Sequence, residues 1–260
     1  MPKILIRREK KEFIPDLQRE VTIVKAKQYF VVDTSKDFHT ADGIISVSEL
    51  SKSSGNKVFT DNSKKDFILL NADFIDLYKR LRKLPQTIPL KDIGFIITET
   101  GIDKESIIVD AGAGSGALSC FLAHLCKQIT TYEIRQDFLQ NIEDNIKSLG
   151  LKNIILKNKS IYDGVDETDV HLVTLDLPEP WLAIPSVEKA LRIGGFVVNY
   201  SPSVPQVMDF VSAVRKNEHF LIIKTVELSE RLWEVNNRRV RPKSIEIGHS
   251  GFLTLVRKIC

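Results

Sequence analysis

The sequence predicts an α/β protein: one domain built on a mostly parallel sheet, preceded by a small β-rich module. Three observations carry this. Beyond residue 100, seven short apolar runs rich in β-branched residues alternate, for the most part, with stretches of helical periodicity. Three of those runs end in unusual punctuation, "VDAGAGSG", "TYEIR" and "LDLPEP". Ahead of them, from Val21 to Leu50, β-branched and aromatic residues are broken by the turn-forming "DTSKD" and "TADG".

Taken in order, Val21 to Leu50 belongs to the β-rich module, and "SKSSGNKVFTDNSKKD" is a polar, turn-prone continuation. "NADFIDLYKRLRKL" then spaces Phe74, Leu77, Tyr78 and Leu81 as one helix face behind Asn71, a cap candidate. The boundary is expected near residues 70 to 85, giving a module over 1–70 and a main domain over 71–260. In the latter, "IIVDA", "ITTYEI", "NIILKNKS", "VHLVTLDL", "GFVVNYS", "FLIIKTVEL" and "GFLTLVRK" are the strands. Helices such as "GALSCFLAHLCKQ" and "RQDFLQNIEDNIKSLG" separate most of them. Strand, helix, strand repetition implies right-handed crossovers. The last two strands lack an intervening helix, so the C-terminal edge is expected to be antiparallel.

Composition narrows the function classes. A chain of 260 residues, 43% hydrophobic and 27% charged, can bury a sizeable core. No apolar run approaches the roughly 20 residues of a membrane span. The start "MPKILIRREKKEF" lacks the pattern of a signal peptide, so the cytoplasm is the expected compartment. Cys120, Cys126 and Cys260 have neither metal-binding nor disulfide spacing, and no metal is expected. A net charge of +3 leaves a polyanion partner undecided.

Ligands of such sheets bind beyond the carboxyl ends of the strands, so the three punctuated ends locate the chemistry. In the first, Asp110 closes a strand and Gly112, Gly114 and Gly116 let the turn approach a ligand closely. This G-x-G-x-G departs from the G-x-G-x-x-G of dinucleotide sites, and a leading acid disfavours a pyrophosphate. On its own the turn is weak evidence, since a tight strand-to-helix connection is the alternative. In the second, Glu133 stands 23 residues after Asp110, where a carboxylate can accept both hydroxyls of a ribose. In the third, Asp176 is followed by Pro178 and Pro180, which remove amide donors and force a rigid, shaped rim. Together they describe a nucleoside cradle.

The joint order "VDAGAGSGALS", "TYEIR", "LDLPEPW", preceded by "PQTIPLKD" and followed by "GGFVVNYSP" and "PQV", resembles the tRNA (adenine-N1)-methyltransferases of archaea and bacteria, the TrmI type. The likeness extends upstream to "SKDFHTADG" and downstream to "RPKSIEIGHSGFLTLVRK", with His249, Gly251 and Phe252 in its His-x-Gly-Phe pattern. It implies the class I, Rossmann-like fold of S-adenosylmethionine-dependent methyltransferases, with a mostly parallel seven-stranded sheet. It also implies a tRNA partner, methylation of adenosine 58 (or also 57) in the T-loop, and a homotetramer.

By the same resemblance, Gly112, Gly114, Ser115, Gly116 and Ala117 would hold the methionine side of S-adenosylmethionine, with Asp110 leading the turn and Glu133 on the ribose. Gln86, in the "PQ" element, would cover the cofactor, or else cap the helix starting near Lys91. Ser160 and Ile161 fall in the adenine-binding "SIYDG", where the family often has Asp in place of Ser160. The family's aromatic or His near the target base is absent from "QTIPLKD", which offers Pro89 and Leu90.

Asp176 borders the cofactor site and is the expected catalytic residue. Adenine N1 already carries a lone pair, so no strong base is needed; a carboxylate accepting the exocyclic amine's hydrogen orients the ring and stabilises its incoming charge. Asp176 is expected ionised at neutral pH, with turnover flat toward mild alkalinity. The basic runs "YKRLRK" and "NNRRVRPK" and the N-terminal module are the candidate RNA contacts. His39, His124, His171 and His249 are expected to be structural or surface groups, and Trp181 a core filler or part of the pocket wall. A methyltransferase for a small molecule such as a corrinoid precursor is the alternative. An inert RNA-binding subunit does not fit cofactor motifs this intact.

Overall fold

A computed structural model of the chain describes residues 1–85, 87–236, 239–244 and 248–260. It divides into two compact units, Met1–Lys79 and Arg80–Cys260.

The first unit centres on an antiparallel sheet ordered Lys27–Val31, Lys3–Arg7, Asp66–Asn71, Lys57–Phe59. Leu5, Val31, Ile45, Leu50, Val58, Phe67 and Leu69 form its core. Asp42 of "TADG" is buried as its polar hub, receiving Lys27 at 2.6 Å, Lys65 at 3.0 Å, Arg7 at 3.2 Å and the Tyr29 hydroxyl at 3.0 Å. Burial works to raise its pKa, but the bonds from Lys27, Lys65 and Tyr29 and the Arg7 charge prevail and hold the carboxyl far below the carboxylate range.

The expected helix behind Asn71 is shorter and capped differently. It runs Phe74–Tyr78 with Asp73 at the N-cap, in a reciprocal capping box with Asp76. Asn71 instead ends a strand, where it pairs with Lys3. Ladder pairing there outcompetes a cap, and the two aspartates supply the helix start.

The second unit carries β1 (Ile107–Ala111), β2 (Gln128–Tyr132), β3 (Ile154–Lys157), β4 (Val170–Leu175), β5 (Leu191–Ser201), β6 (Phe220–Glu227) and β7 (Phe252–Lys258). Their order is β3-β2-β1-β4-β5-β7-β6. The five strands from β3 to β5 are parallel, and β7 runs antiparallel to both neighbours. The helices are α1 (Leu90–Thr100), α2 (Ala117–Ala123), α3 (Gln136–Ser148), α4 (Ile184–Ala190) and α5 (Val204–Arg215). The C-terminal edge is antiparallel, as expected from the missing helix, and the last strand in the chain, β7, lies one position inside it. The reason is burial: β7 encloses Leu253, Leu255 and Val256, whereas β6 alternates partly buried and exposed residues, a pattern suited to an edge.

One sheet face packs Val109, Ala111, Val173, Leu175 and Val197 against Ile184 and Val187 of α4 and Phe210 and Val214 of α5. Strand order reverses between β1 and β4, and their carboxyl ends define the crevice there. Among the described residues no helix is long and apolar enough to cross a membrane.

Candidate active site

The tips of β1, β2 and β4 open into a cavity of about 500 Å3, within the size range of small-ligand sites. β1 ends at Ala111, and the turn to α2 is built from glycines for two different reasons. At Gly112, φ is +85° and an added Cβ would stand 2.0 Å from the carbonyl oxygen of Asp176, so the tip of β4 leaves no room for a side chain. At Gly116, φ is +72° and a Cβ would meet Ile142 of α3 at 2.9 Å. Gly116 therefore permits helix packing and does not line the cavity, which corrects its expected ligand role.

Asp110 is a second correction. Register sets it between Thr131 on β2 and Thr174 on β4. Fully buried, its carboxylate accepts hydrogen bonds from the hydroxyls of Thr174 at 2.6 Å and Thr131 at 3.3 Å and from Ser119 of α2. Burial pushes its pKa up against those three bonds. The group ties three strands and a helix together beneath the turn and does not line the cavity.

Gly112, Gly114, Ser115, Ala117, Glu133, Ser160, Ile161 and Asp176 all line the cavity. Gln86 lies outside the described residues. Glu133 is 6% exposed; its Oε2 accepts the Gly114 amide and its Oε1 the Arg135 amide, both at 2.9 Å. Each oxygen retains accepting capacity toward the cavity. Ser160 accepts the Tyr162 amide at 3.2 Å, capping a short turn, and its hydroxyl hydrogen stays available.

Asp176 follows β4 directly, its amide bonded to the Ala111 carbonyl at 2.9 Å. No described residue donates a hydrogen bond to its carboxylate. Burial first, then the charges of Asp110 and Glu133, push its pKa up to about 7. The expectation of an Asp fully ionised at neutral pH is thereby corrected: burial strips solvent from the charged form, and the two neighbouring carboxyls disfavour it further.

The profile of the family described as tRNA methyltransferase complex GCD14 subunit matches residues 78–257. The chain belongs to this tRNA methyltransferase family. A relative from Methanocaldococcus jannaschii, named tRNA (adenine(57)-N(1)/adenine(58)-N(1))-methyltransferase TrmI, is 30% identical, covering 90% of this chain and 92% of that protein. The crystal structure of a SAM-dependent O-methyltransferase from Thermotoga maritima is 26% identical, with a TM-score of 0.78, covering 99% of this chain and 93% of that one. That of tRNA (m1A58) methyltransferase TrmI from Aquifex aeolicus, 22% identical, shares the fold with a TM-score of 0.76, over 99% of this chain and 97% of that one.

In this family member the structure adds cavity residues that sequence reasoning passed over. Pro85, Thr87 and Ile88 form one wall. The segment leading into that wall is held by Asn145, which accepts the Arg82 amide at 3.1 Å and donates to the carbonyls of Arg82 at 3.1 Å and Ser115 at 2.8 Å. Asn141, one turn earlier, also donates to the Arg82 carbonyl, at 3.2 Å. The readable signal was two asparagines four apart, flanking Ile142 on the buried stripe of "NIEDNIKS". Tyr162 and Gln206 line the cavity as well.

The closing "GHSGF" acts as a clasp. Gly251 packs where a Cβ would lie 2.4 Å from the Tyr200 ring, and the Tyr200 hydroxyl donates to the Ser250 carbonyl at 2.5 Å. His249 faces two acceptors, Glu227 at 2.5 Å and the carbonyl of the cavity residue Pro202 at 3.0 Å. Both are satisfied only by an imidazolium, and these bonds raise the His249 pKa. His171 accepts the Ile107 amide at 3.2 Å. Trp181 packs on the apolar core, as core filling predicts. Arg241 pairs with Glu234 at 2.9 Å, and Arg238 lies outside the described residues.

Proposed function

We propose that the chain transfers a methyl group from S-adenosylmethionine to N1 of adenosine 58 in the tRNA T-loop, with adenosine 57 as a second candidate target. The observation that carries this is the family match over residues 78–257, coupled to a cavity of cofactor size at the switch point. The chain's own residues fit the cofactor. Gly112 gives close backbone approach, Glu133 retains acceptor capacity suited to two ribose hydroxyls, and Asp176 offers an unpartnered carboxyl suited to a cationic neighbour. When bound, the cofactor supplies an electrophilic methyl on a sulfonium.

The remaining chemistry is positioning. Adenine N1 attacks through its own lone pair, so no residue has to remove a proton there. Asp176, driven to its carboxylate form by the neighbouring cation, accepts the N6 hydrogen and holds N1 in line. The same carboxylate would stabilise the positive charge that develops on the adenine ring. N1 lies on the pairing edge, so the target nucleotide is flipped into the pocket. The N-terminal unit, the run Lys79 to Lys83, and Arg239, Arg241 and Lys243 are proposed to meet the tRNA backbone. A homotetramer is part of the same proposal and is checked by light scattering.

The test is to incubate labelled S-adenosylmethionine with an unmodified tRNA transcript and map the product. 1-Methyladenosine at position 58, or at 57 and 58, is expected. Label transfer to a corrinoid precursor but not to tRNA would overturn the reading.

A further inference from the structure

We propose that Gln206 is a positioning residue for methyl transfer, holding the Leu177–Glu179 rim, and through it Asp176, in the geometry that presents the target adenine. The strand ladder ends at the Asp176 amide. Beyond it, Pro178 and Pro180 have no amide hydrogens with which to tie the rim down, so it depends on bonds from elsewhere. Gln206, in the first turn of α5, provides one: its Nε2 donates to the Pro178 carbonyl at 3.1 Å. Its Oε1 accepts the Ser203 hydroxyl at 2.9 Å, which fixes the side-chain amide with the nitrogen toward the rim. On the other side, burial raises the pKa of the Tyr162 hydroxyl, and the Glu179 backbone, which lies beside it, works to lower it. Gln206 and Tyr162 both line the cavity, so the rim is braced from two walls. The glycine turn completes the brace, since the Asp176 carbonyl leaves no room for a side chain at Gly112.

The competing explanation is that Ser203 and Gln206 merely close the first turn of α5. That role would move the melting temperature and leave the transfer step alone. The inference rests on Asp176 as the target-base anchor, so its test includes Asp176→Asn.

Single-turnover methylation of a tRNA transcript, cofactor affinity by calorimetry and thermal melting are measured for the full chain and for Gln206→Met, Ser203→Ala and Tyr162→Phe. Gln206→Met is expected to slow transfer about tenfold at saturating cofactor and tRNA, the scale of one lost hydrogen bond, with cofactor affinity within about twofold of the parent. Ser203→Ala is expected to slow it about threefold alone and not at all in the Gln206→Met background, because the hydroxyl acts through that amide. Parental transfer rates in Gln206→Met, alongside a large loss in Asp176→Asn, would overturn the inference alone. Parental rates in Asp176→Asn would remove the anchor role itself. Should Gln206→Met fail to fold, Ser203→Ala and Tyr162→Phe each delete a single hydroxyl and decide the matter: slowed transfer at unchanged melting supports the brace, and parental rates in both overturn it.

Discussion

Binding of a cationic cofactor beside Asp176 should expel a proton, because the carboxyl is only partly ionised in the free protein near neutrality. In the free protein burial and the Asp110 and Glu133 charges place this carboxyl near pH 7. A unit positive charge held about 5 Å from the carboxyl, at an effective dielectric of about 20, would contribute about 3 kcal/mol, enough to draw the pKa down by about two units. Proton release on binding is then about 0.8 at pH 6, about 0.5 at pH 7 and about 0.1 at pH 8, and affinity tightens about tenfold from pH 6 to pH 8. Calorimetry in two buffers of different ionisation enthalpy counts the protons directly. Asp176→Asn should abolish the release near neutrality. Release that persists in this variant, or that does not change with pH, would refute the assignment of the shifted group to Asp176.

Glu133→Ala removes a charge-assisted ribose contact and should weaken cofactor binding by about 1.5 to 3 kcal/mol in calorimetry; unchanged affinity would take the ribose away from Glu133. Gly112→Ala forces a Cβ into the Asp176 carbonyl at positive φ, at a cost on the order of 3 kcal/mol, and should lower the melting temperature and abolish cofactor-induced stabilisation. His249 has a raised pKa, so its stabilising contribution is fully present below 6.5 and is lost as pH rises through the raised value. Melting temperatures of the parent should fall across that window, and those of His249→Gln should fall less.

The sequence carried the site's outline because strand ends and loop chemistry are local. Glu133 and Asp176 each stand one residue beyond a strand, and "GAGSG" can only be a turn of unusual backbone. The role of Asp110 needed register, since nothing local states that residue 110 faces Thr131 and Thr174 across two ladders. Gly116 needed the approach of α3, and Asn145 the return of a segment 63 residues away. The ionisation of Asp176 was invisible for the same reason: a pKa near 7 belongs first to burial and then to the two carboxyls, Asp110 and Glu133, that folding brings near it. The inner place of β7 reflects a contest of burial with β6, which alternation along β6 alone hints at.

The central claim, that Asp176 orients and stabilises the target adenine in the transfer step, is tested most directly by single-turnover methylation of a tRNA transcript at saturating cofactor at pH 8, parent against Asp176→Asn. Loss of the preorganised charge should slow transfer by about 100-fold or more, with folding and tRNA affinity little changed. Transfer by Asp176→Asn within a fewfold of the parent would contradict the account and reduce Asp176 to a residue of the cavity wall.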